Sequence, residues 1–293
     1  MIFDASIIIV NYNTKELLLN TIRSIFSFSS SFSFEVIVVD NASVDGSQEA
    51  VRQYFPNVLL IELNENIGFG RANNVGAKEA NGDFLFFLNS DTIFLNNALD
   101  FFINFYQKNK EVKIGCIGAF LLDEDLKLGH SFGVFPTPNY ILKDAFLRLT
   151  KLSSILKKKY KKEFLSFLNV DYVTGADLFV ERKVFFETGG FDKDFFMYFE
   201  ESDFQYKLSK KGYKNLVIDG PKIIHLEGKS YSANQRRRLN YTKSLFLYIK
   251  RHHKESFLVF KLFYFILKIP GIFNFKYTLK ERVNFLKFLY KLD

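Results

Sequence analysis

Val36-Ile37-Val38-Val39-Asp40-Asn41-Ala42-Ser43-Val44-Asp45-Gly46-Ser47 decides the reading of the chain: four β-branched apolar residues run straight into a cluster of short polar ones. An uninterrupted apolar run of this length reads as a strand buried on both faces, as in a parallel sheet covered by helices. In an open sheet of that kind ligands bind beyond the carboxyl ends of the strands, which is where the polar cluster falls. Asp40 there can accept hydrogen bonds from a ribose hydroxyl or a base N–H. It can equally close an Asx-type turn, because Asp, Asn and Ser side chains bond nearby backbone amides.

Outward from this stretch the same alternation of β-rich runs and helical segments continues to about residue 122. The pattern predicts strands at 6–10, 34–40, 58–62, 83–88 and 114–121, with helices between them, so the fold class is α/β with a Rossmann-like, mostly parallel sheet flanked by helices. The first helix covers residues 15–28 behind Thr14 as N-cap, and the third follows Gly68. Strand one finishes in Asn11-Tyr12-Asn13 and strand four in Asn89-Ser90-Asp91, so three neighbouring strands deliver polar groups to one rim. Residues 123–169 break the regularity, with Pro136 and Pro138 in a loop and a basic run from Lys157 to Lys162. This reads as an insertion facing acceptor or membrane, or as a solvated helix face. A strand at 172–180, a turn at Gly189-Gly190, a helix at 201–211 and a strand at 214–218 complete a domain expected to span residues 1–228.

The net charge of +8 is uneven: residues 229–293 hold 15 Lys and Arg against 3 acids, or +12, which leaves −4 for residues 1–228. A helical, basic tail rich in Phe, Tyr, Leu and Ile suits the inner face of a membrane with anionic lipids better than a nucleic-acid groove, which has no use for the apolar residues. The same Phe, Ile, Lys and Asn usage is also what an AT-rich genome imposes. The apolar stretch 257–275 is interrupted by Lys261, Lys268 and Pro270, so an interfacial helix fits it better than a spanning one. The amino terminus lacks the basic n-region and cleavage site of a signal peptide, which predicts a cytoplasmic catalytic part. In that setting the sequons Asn41-Ala42-Ser43 and Asn240-Tyr241-Thr242 are chance matches. The single cysteine, Cys116, excludes an internal disulfide and reads as core packing.

Four further segments carry chemistry. The loop from Asn64 to Asn73 leads into a helix and offers backbone amides, a helix N-terminus and the Arg71 guanidinium to a diphosphate. It is not a dinucleotide fingerprint, whose glycines follow the first strand. Asp91 can bind Mg²⁺ or Mn²⁺ bridging to a sugar-diphosphate, since substrate phosphates complete the shell of such hard cations; the alternative is an ordinary strand-to-helix turn. Glu200-Glu201-Ser202-Asp203 follows the aromatic run Phe195-Phe196-Met197-Tyr198-Phe199 and can supply a general base in an apolar-walled site, or simply complement a helix dipole. His225, after an apolar strand, is a ligand or a hydrogen-bonded structural residue.

Taken in order, Ile9-Val10-Asn11-Tyr12-Asn13, Val38 to Ser47, Asn66-Ile67-Gly68-Phe69-Gly70-Arg71-Ala72-Asn73, Leu88-Asn89-Ser90-Asp91-Thr92, Gly175-Ala176, Gly189-Gly190-Phe191-Asp192, Phe196 to Asp203 and His225 form a pattern. Over residues 5–230 it resembles glycosyltransferase family 2 with the GT-A fold, especially the rhamnosyltransferase-like branch. The resemblance implies that Asn11, Asn13, Asp40 and Asn41 bind the nucleoside side of a donor. Gly68, Arg71 and Asn73 would lie toward its diphosphate, with Asn89 and Ser90 beside them, and Asp91 with His225 would hold the divalent metal. Gly175, Ala176 and Glu200 would border the acceptor, and Glu201, the second acid of the pair, would be the base. Asn89 stands where many relatives carry an aspartate, which leaves more of the metal contact to Asp91. Ser90 replaces the proline of the rhamnosyltransferase-like pattern. Glu201 replaces a frequent Asp, and its longer side chain leaves Asp203 as a second candidate base.

The expected activity is therefore inverting transfer of a sugar from a dTDP- or UDP-sugar to a lipid-linked saccharide during surface polysaccharide assembly, with rhamnose as the leading sugar. A UDP-hexose or UDP-galactofuranose donor is the alternative within that class. An inactive nucleotide-sugar-binding partner is disfavoured because Asp91, Glu201, Asp203 and His225 are all present. A sugar nucleotidyltransferase is disfavoured because no glycine-rich, Arg- and Lys-bearing triphosphate loop follows the first strand.

Overall fold

The computed structural model describes residues 3–149, 166–226, 235–269 and 278–291. The first half runs β1 (Phe3–Asn11), α1 (Lys15–Phe26), β2 (Phe34–Asp40), α2 (Ser47–Tyr54), β3 (Leu59–Glu62), α3 (Phe69–Glu79), β4 (Gly82–Asn89), β5 (Thr92–Phe94), α4 (Ala98–Lys108) and β6 (Ile114–Ala119). Then come β7 (Phe132–Gly133), α5 (Pro138–Leu149), β8 (Phe167–Val170), β9 (Tyr172–Val173), β10 (Asp177–Glu181), α6 (Arg182–Glu187), α7 (Glu200–Lys210), β11 (Lys214–Ile218) and β12 (Ile223–His225). Three helices follow: α8 (Gln235–His252), α9 (Phe257–Lys268) and α10 (Leu279–Lys291).

Eight strands form one mixed sheet in the order β3-β2-β1-β4-β10-β6-β11-β8. The pairs β1–β2, β1–β4, β2–β3 and β6–β11 are parallel, whereas β10 runs antiparallel to β4 and β6, and β8 antiparallel to β11. The apolar runs that identify the strands alternate between two cores. Ile7, Ile9, Val36 and Val38 pack on one face with α1, α2 and α4, and Ile8, Val10, Ile37 and Val39 pack on the other with α3, α6 and α7.

Two sequence expectations change here. The single strand expected at 172–180 is divided into β9 and β10 by Thr174-Gly175-Ala176, because the chain switches partner: β9 pairs with β7, and β10 with β4 and β6. Pro138 is not in a loop but is the first residue of α5, the helix position at which a missing N–H costs nothing. The basic run 157–162 lies outside the described residues.

The chain divides into two compact units, Met1–Phe135 with Phe164–Ser232, and Pro136–Glu163 with Ala233–Asp293. Part of the expected insertion thus groups with the C-terminal helices. In that second unit Phe246 of α8 packs its ring against Phe257, Phe260 and Tyr264 of α9. Among the described residues no helix is long and apolar enough to cross a membrane.

The sheet's centre rests on Phe179 of β10, which is fully buried with its ring 4.9 Å from Phe84, 5.4 Å from Phe102 and 6.0 Å from Phe86. Phe179→Ala removes all three contacts and is expected to lower unfolding stability by about 3–5 kcal/mol, measured by urea denaturation followed by circular dichroism.

Candidate active site

Parallel pairing sets Asn11 opposite Asp40 and Val10 opposite Asn89, so β1, β2 and β4 end at one rim. Asn11 and Asp40 are fully buried and bonded to each other, Asn11 Nδ2 donating to Asp40 Oδ2 at 2.8 Å. Asp40 Oδ1 accepts from the Ser43 amide (2.8 Å) and from Gln48 Nε2 (2.7 Å). Asp40 therefore does form the turn that its sequence allowed, and it braces the first strand's end as well. Asn13, in a left-handed conformation (φ 55°), accepts from the Val44 amide at 2.8 Å, which ties the loops after β1 and β2 together. Asn41 donates to Asn66 Oδ1 (3.0 Å) and accepts from the Ile67 amide (2.9 Å), extending the network to the loop before α3.

That loop enters α3 through Gly68, whose φ of 93° favours glycine and whose added Cβ would fall on the Phe196 carbonyl. Four hydrogen bonds then join the start of α3 to the segment leading to the acids. The Phe69 amide donates to the Phe196 carbonyl (2.8 Å), and Arg71 Nε to the Lys193 carbonyl (2.5 Å). Asn74 both donates to the Phe191 carbonyl (2.6 Å) and accepts from the Phe191 amide (3.0 Å). Arg71 is otherwise exposed. Asn73 is buried and donates to the Phe69 carbonyl of its own helix at 3.2 Å. Asn74, its neighbour, was not singled out by sequence, and in a run of two asparagines only the helical phase separates their roles.

Asn89, Ser90 and Asp91 form the turn between β4 and β5, held by Thr21 of α1, whose hydroxyl donates to the carbonyls of Ser90 (2.9 Å) and Thr92 (2.7 Å). Ser90 Oγ also lies 3.0 Å from Thr14 Oγ1. Antiparallel pairing of β5 with β12 sets His225 opposite Thr92, and this ribbon brings His225 Nε2 to 3.3 Å from both Asp91 Oδ1 and Asn89 Nδ2. Asp91 is nearly fully buried. Among the described residues no group of three or more His, Cys, Asp or Glu could hold a metal ion. A two-ligand set still fits a cation such as Mg²⁺ or Mn²⁺: one carboxylate oxygen and one imidazole nitrogen converge, with room in the shell for phosphate oxygens and water.

The acids open α7. Its N-cap, Phe199, and the preceding Tyr198 both have positive φ (69° and 71°), a conformation that costs non-glycine residues of order 1–3 kcal/mol and persists only where the surroundings enforce it. The hydrogen bonds from α3 supply part of that enforcement. Glu201 is half-buried, and desolvation pushes its carboxyl up to about 7. Glu200 is buried, its Oε2 has no hydrogen-bond partner among the described residues, and its carboxyl is held well above the usual range by burial and then by the Glu201 charge. A Cβ added at Gly70 would stand 3.2 Å from the Glu200 side chain, and one at Gly175 would stand 3.8 Å from Glu201 and 3.5 Å from the Phe69 ring. Ala176, next in line, accepts from the Asn89 amide at 3.0 Å. The break between β9 and β10 therefore links the acid pair to the Asn89–Asp91 turn. Asp203 is fully buried and ion-paired with Lys207 at 2.6 Å.

Comparison with known proteins establishes the family. The family model for Glycosyl transferase family 2 matches residues 6–177. The chain is 25% identical over 232 residues to an N-acetylglucosaminyl-diphospho-decaprenol L-rhamnosyltransferase of Mycobacterium tuberculosis, covering 74% of this chain and 75% of the relative. It is 25% identical over 235 residues to the O-antigen biosynthesis protein RfbC of Myxococcus xanthus, covering 78% of this chain and 18% of that protein. Among solved structures, a mannosyltransferase from Pyrobaculum calidifontis in complex with GDP-Man and Mn²⁺ superposes with a TM-score of 0.58 at 16% identity, covering 97% of this chain and 74% of that one. The fold is GT-A. The chain belongs to glycosyltransferase family 2, and it is a glycosyltransferase.

Because burial raises the Glu200 carboxyl, the folded state binds that proton more tightly than the unfolded chain. The resulting stability is full below the ordinary carboxylate range and is lost as pH rises toward the folded value. Glu200→Gln lacks this loss, so the urea midpoint of the variant relative to the native chain should climb between pH 5 and pH 8.

Proposed function

We propose that this chain transfers a sugar, with inversion, from a nucleoside-diphosphate donor to a lipid-linked saccharide in cell-surface polysaccharide assembly, working peripherally at the inner face of the cell membrane. The observation that carries the reading is the linkage of three groups at one rim: the Asp91–His225 pair, the Gly175-Ala176 break, and Glu201 with a carboxyl poised near neutrality. Rhamnose, from dTDP-rhamnose, is the preferred sugar. Support comes from the name of the mycobacterial relative, matched over about three-quarters of both chains, which also names a lipid diphosphate acceptor.

In this reading Asn11, Asn13, Asp40 and Asn41 shape the nucleoside pocket, largely by fixing one another, and Gly68, Arg71 and Asn73 form the diphosphate side with Asn89 and Ser90. Asp91 and His225 would hold a divalent cation, which would supply positive charge against the departing nucleoside diphosphate. Glu201 accepts the proton of the acceptor hydroxyl as its oxygen bonds to the anomeric carbon and the bond to the diphosphate breaks on the opposite face. Glu201 is preferred over Asp203 as base because Asp203 is fully buried and its charge is taken by Lys207. Glu200, beside Gly70, backs the acceptor side.

A panel of dTDP-, UDP- and GDP-sugars incubated with the purified chain and Mn²⁺ tests the assignment. Metal-dependent hydrolysis of dTDP-rhamnose, lost in Asp91→Ala, is expected. Turnover of a UDP-hexose or UDP-galactofuranose instead would replace the sugar but not the chemistry, and turnover of none would favour an inactive binding partner. With donor and acceptor in hand, Glu201→Gln should lower kcat by about 10²–10⁴-fold. A base must be ionised to act, so kcat/KM of the native enzyme should rise with pH through about 7 and level off above it, and this limb should disappear in the variant.

A further inference from the structure

The second unit presents a two-faced helix. On one side of α9, Phe257, Phe260 and Tyr264 are buried, with ring centroids 6.1, 5.4 and 5.4 Å from Phe246 of α8. On the other side Leu258 (77% exposed), Val259 (57%), Leu262 (58%), Phe263 (51%) and Ile266 (47%), with Ile269 (40%) just beyond the helix end, face solvent. At 100° per residue these six fall within an arc of about 140°, so they form one apolar stripe instead of scattered exposures. A stripe of aliphatic and aromatic side chains left in water is the mark of an interaction surface.

The charges around the stripe select the partner. Helix α9 carries Lys261 and Lys268 and no acid, the exposed Lys254 and Glu255 stand in the turn before it, and the 229–293 segment has a net charge of +12. A basic helix with one apolar face and no negative charge complements an anionic lipid surface: the apolar stripe enters the acyl boundary and the lysines remain among the headgroups. A spanning role is excluded for α9 by its length of 12 residues.

We propose that Leu258, Val259, Leu262, Phe263 and Ile266 of α9, with Ile269 just beyond its end, are the membrane-inserting face of this protein, lying in the plane of an anionic bilayer. The proposal deepens the peripheral location given above and rests on that reading only for the purpose of the contact, which is to bring the chain to a lipid-linked acceptor. Transfer chemistry and membrane contact can fail separately, because donor hydrolysis needs no bilayer.

The chain contains no tryptophan, so Phe263→Trp in the full chain gives a single reporter on the stripe at little change of volume. Vesicles of phosphatidylcholine with phosphatidylglycerol should shift its emission to the blue, and brominated acyl chains should quench it. Phosphatidylcholine alone should act weakly, and added salt should weaken the effect. In sedimentation with the same anionic vesicles, Leu262→Glu combined with Phe263→Glu should lower the bound fraction's partition coefficient about tenfold or more, and Leu258→Ser with Ile266→Ser should lower it in the same direction. Donor hydrolysis without vesicles should match the native chain in every variant, which also establishes that each is folded. Vesicle binding without a tryptophan shift, equal binding by the charged variants, or no binding to anionic vesicles would each overturn the proposal. So would a dimer in light scattering that the charged variants dissociate, since the stripe would then be covered by a second copy. Loss of hydrolysis by the native chain with membrane binding intact would contradict the transferase reading and leave this one standing.

Discussion

The register of three parallel strands is the constraint on which the candidate site depends. With β1 between β2 and β4, Asn11 lies opposite Asp40 and Val10 opposite Asn89. A slip of one residue would turn every side chain to the other face of the sheet and break the buried Asn11–Asp40 bond. Since β1 and β2 bury both their faces, a slip would also exchange the residues of the two cores, so packing and polar bonding enforce the same alignment.

From that rim the structure reaches outward by short-range ties to residues far away in sequence. The β5–β12 ribbon carries His225 to Asp91 across 134 positions, the difference of their numbers. The partner switch at Gly175-Ala176 joins Asn89 to the neighbourhood of Glu201. The bonds from Phe69, Arg71 and Asn74 to Phe196, Lys193 and Phe191 make the loop before α3 and the loop before α7 a single support. Two left-handed residues, Tyr198 and Phe199, sit at the end of that support and aim the first turn of α7. Their strain and the burial of the Glu200 carboxyl are local costs, and such costs collect where a chain positions chemistry.

Much of this was legible in the sequence where local pattern and burial coincide. The runs Val36–Val39 and Phe84–Leu88 read as strands because nothing polar interrupts them, and the polar ends of β1, β2 and β4 fell where an open sheet puts its ligand crevice. The motif order from Asn11 to His225 pointed to the family that the comparison establishes. What pattern reading missed depends on long-range pairing. The apolar run before His225 reads as a strand, but nothing local reveals that it pairs with β5 or that β10 runs antiparallel between β4 and β6. Pro138 looked like a loop residue because its helix follows it instead of preceding it. Asn73 and Asn74 are equivalent in type, and only their placement on α3 turns one toward its own helix and the other toward Phe191.

The central claim is that Asp91 and His225, brought together by the ribbon, hold a divalent cation at the donor's diphosphate. The most direct measurement is electron spin-echo spectroscopy of Mn²⁺ added to the purified chain with a nucleoside diphosphate. The account predicts a nitrogen coupling from one imidazole that vanishes in His225→Ala, with weaker Mn²⁺ binding in both His225→Ala and Asp91→Ala. A spectrum with no imidazole coupling, or one unchanged by His225→Ala, would contradict it and leave His225 as a structural partner of Asp91.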